Sequence, residues 1–335
     1  MSILAEKEAS RGEALADLPG RPRLWIGGLA AGAVWLALAV LTAAWPDAAD
    51  APRTGQFALL LGALGGVALL AAATERALDL DLGRARTLAP WLIALALLVA
   101  GWEVATAKLD LLPQPFFGPP QALLDVYLED WPRLGESVLR SLGLLTGGYV
   151  IGAAIGFATG VAMGWSRAVG YWVHPVLRLV GPLPATAWLP FAFFFFPSSF
   201  SASIFLIALA TAFPVTVLTW SGVASVSAAY YDVARTLGAS GRFLVLKVAI
   251  PAALPSVFVG LFMGLGASFA VLVVAEMLGV KAGLGWYLQW AQGWAAYANM
   301  YAALLVMALM CSGLITLLFR LRDRLLSWQK GLVRW

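Results

Sequence analysis

The sequence predicts an all-α protein that crosses a membrane about eight times. Hydrophobic residues make up 61% of its 335 residues and charged ones only 12%, where a soluble domain carries about a quarter charged. Eight runs are long and apolar enough to span a bilayer. The alternating apolar and polar pattern of a membrane β-barrel is absent. A backbone in lipid must satisfy its own hydrogen bonds, so the runs are read as helices. The net charge of +4 is too small to argue for nucleic acid.

Taken in order, the first 23 residues are polar and mixed in charge. The apolar run 24–44 has 21 residues, beyond the roughly 7 to 15 of a signal-peptide core, and reads as a retained anchor. Runs follow at 57–73, 90–106, 142–165, 176–196, 202–223, 255–279 and 300–319. The single cysteine, Cys311, lies in an apolar run and reads as a packed thiol.

Basic residues orient the chain. With the N-terminus in the cytoplasm, sixteen Lys and Arg fall inside: Lys7, Arg11, Arg21, Arg23, Arg76, Arg84, Arg86, Arg167, Arg235, Arg242, Lys247, Arg320, Arg322, Arg324, Lys330 and Arg334. Five fall outside: Arg53, Lys108, Arg133, Arg140 and Lys281. Arg178 lies within the fifth run and is not counted. Both termini and the loop 224–254 are therefore expected in the cytoplasm.

Two loops are more than connectors. The outer one, 107–141, carries Pro113, Pro115, Pro119 and Pro120 and then an amphipathic stretch from Gln121 to Tyr127, expected along the outer interface. The cytoplasmic one reads as helical between Ser227 and Val248. Helices in bundles are usually joined by about 2 to 8 residues, so a long ordered loop is a candidate contact surface. Asp232 to Leu237 are good helix formers, Gly238 suits a left-handed helix end, and a second helix begins near Arg242. Pro251 and Pro255 are expected to limit its continuation into the seventh span.

This loop resembles the Glu-Ala-Ala signature of the binding-protein-dependent importer permeases. That pattern is Glu-Ala-Ala, three residues, Gly, nine residues, Ile-x-Leu-Pro. Asp232, Val233, Ala234, Gly238, Val248, Ile250 and Pro251 stand at its positions, with every spacing kept and four conservative departures. Trp102-Glu103, Leu111-Leu112-Pro113, Gly118-Pro119-Pro120, Pro182 to Pro190, Glu276 and Gly283-Leu284-Gly285 are similar to features of the nitrate, sulfonate and taurine branch. The likeness covers about 88–335.

The resemblance implies a six-helix type I ATP-binding-cassette importer core over 89–335, with 1–88 as an added module of tail and two helices. It implies that Asp232, Val233, Ala234, Arg235, Thr236, Leu237 and Gly238, with Pro251 behind them, contact an ATPase. The chain has no Gly-x-x-x-x-Gly-Lys-Ser/Thr phosphate loop, so it needs two separate ATPase subunits to bind ATP and magnesium. It holds no cofactor of its own. The implied partners are those ATPases, a second permease subunit (identical or related), a periplasmic binding protein and membrane lipid. The implied location is the bacterial inner membrane. The branch's cargoes are small oxyanions, sulfonates, taurine, bicarbonate and pyrimidine cofactor precursors, and no basic cluster within the spans selects among them.

Candidate pathway residues are Thr186, Thr211, Thr216, Thr219, Ser268 and Glu276. A hydroxyl here reads either as bonded to its own helix or as lining a path. Glu103 and Glu276, near the outer ends of their spans, read either as interfacial carboxylates or as gating groups. Pro182, Pro184, Pro190 and Pro214 read either as packing kinks or as backbone opening on a cavity. Phe193 to Phe196 reads as packing, lipid-facing or an outer seal, and His174 as a capping or surface group. Gly147, Gly148, Gly152, Gly156 and Gly160 signal close helix packing. One His and one Cys argue against a multi-pass membrane enzyme.

Overall fold

The structure, a computed structural model, describes residues 25–48, 50–78, 83–112 and 114–329. Lys7, Arg11, Arg21, Arg23, Pro113, Lys330 and Arg334 lie outside the described residues, as do the side chains of Arg76, Arg84 and Arg86. No strand occurs among the described residues. The chain divides into two compact units, Met1–Leu128 and Glu129–Trp335.

In the first unit, α1 (Ile26–Ala44) and α2 (Thr54–Leu78) form an antiparallel pair, and α3 (Gly83–Glu103) packs beside α1. Trp45 caps α1 just before Pro46, which disfavours further helix. Gly32 abuts Leu69 while Gly65 abuts Leu36, close approaches that only a missing Cβ permits. At its far end α3 widens into a π turn, Val104–Lys108. Lys108 Nζ there donates to the carbonyls of Thr42 (3.0 Å) and Trp45 (2.6 Å), the unpaired end of α1. The outer-loop segment predicted to be amphipathic is α4 (Pro120–Glu129). Arg53 pairs with Asp125 and tethers α4 to the α1–α2 turn.

The second unit contains α5 (Trp131–Trp165), α6 (Arg167–Val180), α7 (Leu189–Phe195), α8 (Ser199–Ala224), α9 (Ala228–Thr236), α10 (Gly241–Gly279), α11 (Leu284–Gly293) and α12 (Tyr297–Leu325). Its core is the α5–α8 contact. Gly148, Gly152, Gly156, Gly160 and Gly164 recur every fourth residue along one face of α5. A Cβ on Gly152 would stand 2.3 Å from the Ala208 carbonyl oxygen, and one on Gly160 2.6 Å from the Thr219 side chain. Gly148 meets Ile207 and Gly160 meets Thr219, so both helices advance by twelve residues together and run parallel. α10 runs antiparallel to α8, with Gly222 beside Ala253 and Gly264 beside Thr211.

Among the described residues, seven helices are long and apolar enough to cross a membrane, or eight if α6 and α7 count as one bent span. The fifth predicted run, 176–196, is therefore not a continuous helix. α6 begins earlier, at Arg167, under a Ser166 cap, and the path bends by 87° between α6 and the turn that starts at Ala185. Pro182 and Pro184 lack N–H groups and break the ladder there. Parallel α5 and α8 nevertheless require 166–198 to return the chain across the bilayer, so the bent pair completes the eighth crossing.

The two prolines expected to stop the second loop helix do not stop it. Helix runs from Gly241 to Gly279 through Pro251 and Pro255. A π turn over Leu244–Ala249 precedes Pro251, and its wider ring displaces the carbonyls that the proline ring would otherwise strike.

Candidate functional site

Two clusters sit at opposite ends of the second unit. The first is α9, in the loop joining α8 to α10. None of its nine residues is fully buried: Val233 is 62% exposed, and Leu237, just beyond the helix, 84%. Two exposed apolar side chains on a short polar helix make a surface fit for a partner. Asp232 pairs with Arg235 at 3.4 Å, both largely exposed, a contact worth little by itself.

The end of α9 is sharply defined. Gly238 has φ +82°, its N–H reaches the Arg235 carbonyl (2.9 Å), and the Ala239 N–H reaches the Ala234 carbonyl (3.0 Å). Those two bonds are the Schellman arrangement, which places a left-handed residue after the helix. Ser240 then caps α10, accepting from the Phe243 N–H at 3.4 Å. The predicted helix over Asp232 to Leu237 is thus found, extended back to Ala228.

α9 is fixed to the bundle by Tyr231, a role sequence reading missed. Its ring meets Trp165 edge-on at 6.0 Å and packs on the cluster of Val223, Ala249 and Ala253. Burial pushes the Tyr231 phenol above its ordinary range. The available signal is an aromatic in α9 matched by one at the end of α5, but nothing local pairs them. Pro251 lies in α10 behind this cluster.

The second cluster is at the other end of α10. Glu276 is fully buried and pairs locally. It accepts from the Ser141 hydroxyl (2.6 Å) and the Gly285 N–H (2.8 Å), while Ser141 accepts from the Leu284 N–H (2.8 Å). Gly283 takes φ +130° directly over the carboxylate. The Gly-Leu-Gly turn is thereby locked to α5 and α10. Close by, the Tyr287 hydroxyl donates to Asp130 (2.7 Å) and accepts from Asn299 (2.7 Å), and Arg133 stacks over Trp290 at 4.5 Å. Burial, reinforced by Asp130, pushes the Tyr287 phenol up.

The predicted hydroxyls fall elsewhere. Thr211 donates to the Ile207 carbonyl, Thr216 to Ala212 and Ser268 to Leu265, each on its own helix and each buried. Thr219 is buried against Gly160. Thr186 is half-buried in the 3₁₀ turn Ala185–Trp188. The structure does not gather these residues into one site. Phe194 and Phe195 are 82% and 73% exposed, whereas Phe193 and Phe196 pack inward. His174 lies in mid-α6 and caps nothing; it meets Trp220 edge-on. Glu103, also fully buried, belongs to the first unit and stands 3.7 Å from Lys108.

Residues 150–330 match the family described as binding-protein-dependent transport system inner membrane component. The nitrate import permease protein NrtB of Synechococcus elongatus is 28% identical over 172 residues, covering 49% of this chain and 62% of that one. The taurine transport system permease protein TauC of Escherichia coli is 33% identical over 170 residues, covering 46% and 60%. A putative ABC transporter permease of Methanocaldococcus jannaschii is 29% identical over 164 residues, covering 47% and 60%. The chain thus spans about three fifths of the length of these relatives. A chain of the MetNI methionine ABC transporter, solved in inward-facing conformations, superposes with TM-score 0.50 at 16% identity, covering 57% of this chain and 95% of that one, a likeness of fold.

Proposed function

The chain belongs to the binding-protein-dependent transport inner membrane component family, and on that premise we propose that it is the membrane subunit of an ATP-driven importer in a bacterial inner membrane. The observation that carries this reading is α9, with Val233 and the adjoining Leu237 exposed, yet held to the bundle by Tyr231. A helix so built transmits force: its tip is free to dock and its root is packed against α5, α8 and α10. We place α9 and both termini in the cytoplasm, in keeping with the distribution of Lys and Arg.

In this reading Asp232 to Gly238 seat in a separate ATPase, and ATP-driven closure of two such ATPases moves α8 and α10 through α9. A periplasmic binding protein delivers the solute to the face that holds Glu276 and α11. The nitrate and taurine permeases among the relatives support a small anion as cargo. A path between two permease subunits is lined by side chains exposed on each one. Of the candidate hydroxyls, that favours Thr186 over the buried Thr211, Thr216 and Ser268. Glu276 serves to hold the outer turn.

The test is co-expression with the cognate ATPase, followed by purification on the ATPase. Asp232→Lys and Gly238→Pro are expected to reduce the recovered permease and to abolish transport-linked ATP hydrolysis. Full recovery and full coupling in both variants would overturn the assignment of α9.

A further inference from the structure

α6 carries a polar row. Arg167, Tyr171, His174 and Arg178 are spaced by four, three and four residues, so they lie along one face. All four are exposed. The opposite face presents Trp172, Val176 and Leu179. The row ends at the break Gly181–Pro184, where Pro182, Leu183 and Pro184 are exposed as well.

Depth is set by two contacts with α8: His174 meets Trp220, and Gly181 lies against Phe213. Arg178 falls between them, which places it about 10 Å along α8 from that helix's Ala224 end, at roughly 1.5 Å per residue. Among the described residues Arg178 has neither an ion pair nor a hydrogen bond. The end of the α6 dipole tolerates its charge locally, but a guanidinium inside the bilayer still requires water, a carboxylate or an anion. The neighbouring break makes the same demand. Pro182 gives the Arg178 carbonyl no helical donor, and non-helical backbone at membrane depth stands only against protein or water. Two independent features of one face therefore exclude lipid from it.

We infer that the Arg167–Tyr171–His174–Arg178 face of α6, with the Gly181–Pro184 break, forms a water-filled, anion-attracting lining of the transport path, with Arg178 as its innermost cation. This inference rests on the transport reading above. It adds a cationic determinant within the spans, where the linear sequence offered only isolated residues. An anionic lipid headgroup has the same chemistry as an anionic solute, and the experiment separates the two.

A Cys311→Ser chain carrying Leu183→Cys is reconstituted with the cognate ATPase in phosphatidylcholine vesicles without nucleotide. Reaction rates are measured with an anionic thiosulfonate, sulfonatoethyl methanethiosulfonate, and with its trimethylammonium counterpart. The anionic reagent is expected to react faster, and Arg178→Gln to lower the rate ratio about fivefold. Arg178→Lys is expected to keep most of the ratio, and Arg320→Gln all of it. No reaction with either reagent, or a ratio indifferent to Arg178→Gln, would overturn the inference. So would a ratio abolished by adding phosphatidylglycerol, since a headgroup would then hold Arg178. ATPase co-purification, read on the same samples, reports on α9 separately.

Discussion

A Cβ placed on Gly283 would stand 2.4 Å from the carboxyl carbon of Glu276. The buried acid and the left-handed glycine thus fit only each other: the carboxylate fills the space that a side chain would need, and the turn it supports brings the Gly285 N–H to it. Ser141 closes the lock from α5. Three helices meet at this one carboxylate, so its energetic weight exceeds that of a single hydrogen bond.

Gly283→Ala is expected to lower the thermal midpoint of the detergent-purified protein strongly, because φ +130° and the carboxylate both reject a Cβ. Gly293→Ala, with nothing within 4 Å, is expected to leave it within a degree or so. Glu276→Gln keeps the Ser141 bond but leaves one buried donor or acceptor unmatched, costing about 1 to 3 kcal/mol. Equal midpoints for Gly283→Ala and Gly293→Ala would refute the lock.

Gly238 is a purer conformational case. A Cβ there meets nothing within 4 Å, so only φ +82° resists substitution. Gly238→Ala should cost about 1 kcal/mol, Gly238→Asn less. Gly241→Ala, at the start of α10 with no positive φ, should be neutral or slightly stabilising. Hydrogen exchange of the Gly238 and Ala239 amides reads this directly: faster exchange in Gly238→Ala and no change in Gly241→Ala is the expected pattern.

Features set by composition or by local spacing were legible in the sequence. The spans follow from hydropathy, the glycine face of α5 from its four-residue repeat, and the end of α9 from Gly238, whose partners Ala234 and Arg235 lie within one turn. Pro182 and Pro184 marked an interruption of the fifth run, but its size was hidden, because hydropathy does not register an 87° bend within an apolar stretch. The passage of α10 through Pro251 was hidden because a π turn absorbs the proline without changing the pattern. The burial of Glu276 depends on Ser141, 135 residues earlier, and no local signal joins such a pair. Arg178 illustrates the same limit: a lone residue in the sequence becomes the end of a row only once α6 is known to begin at Arg167.

The α5–α8 contact predicts a graded response to side-chain size. Gly152→Ala drives a methyl into the Ala208 carbonyl and the Thr211 side chain, and Gly152→Leu cannot be housed without separating the helices. Gly143→Ala, on the same helix with open space around it, is the matched control. Monodisperse yield on fluorescence-detected size exclusion should fall from Gly143→Ala to Gly152→Ala to Gly152→Leu. A flat series would mean that the parallel pairing is not what holds the second unit together.

Lys108 gives the sharpest test of whether residues 1–88 are separable. Its ammonium is fully buried, donates to the carbonyls of Thr42 and Trp45, and pairs with Asp47 at 2.6 Å. All three of those partners lie in the segment that the sequence reads as an added module. Lys108→Met leaves Asp47 and the buried Glu103 without their cation and α1 without its cap. Removing one member of a buried pair typically costs about 3 to 5 kcal/mol. Deleting residues 1–88 does the reverse, stranding the ammonium beside Glu103 alone. Both changes should reduce the amount of folded protein recovered from membranes. Lys108→Met combined with the deletion should recover no more than the deletion alone, because the buried Glu103 then loses its remaining cation. If the deletion by itself yields as much folded, ATPase-binding protein as the full chain, the dependence of α3 on α1 through Lys108 is refuted.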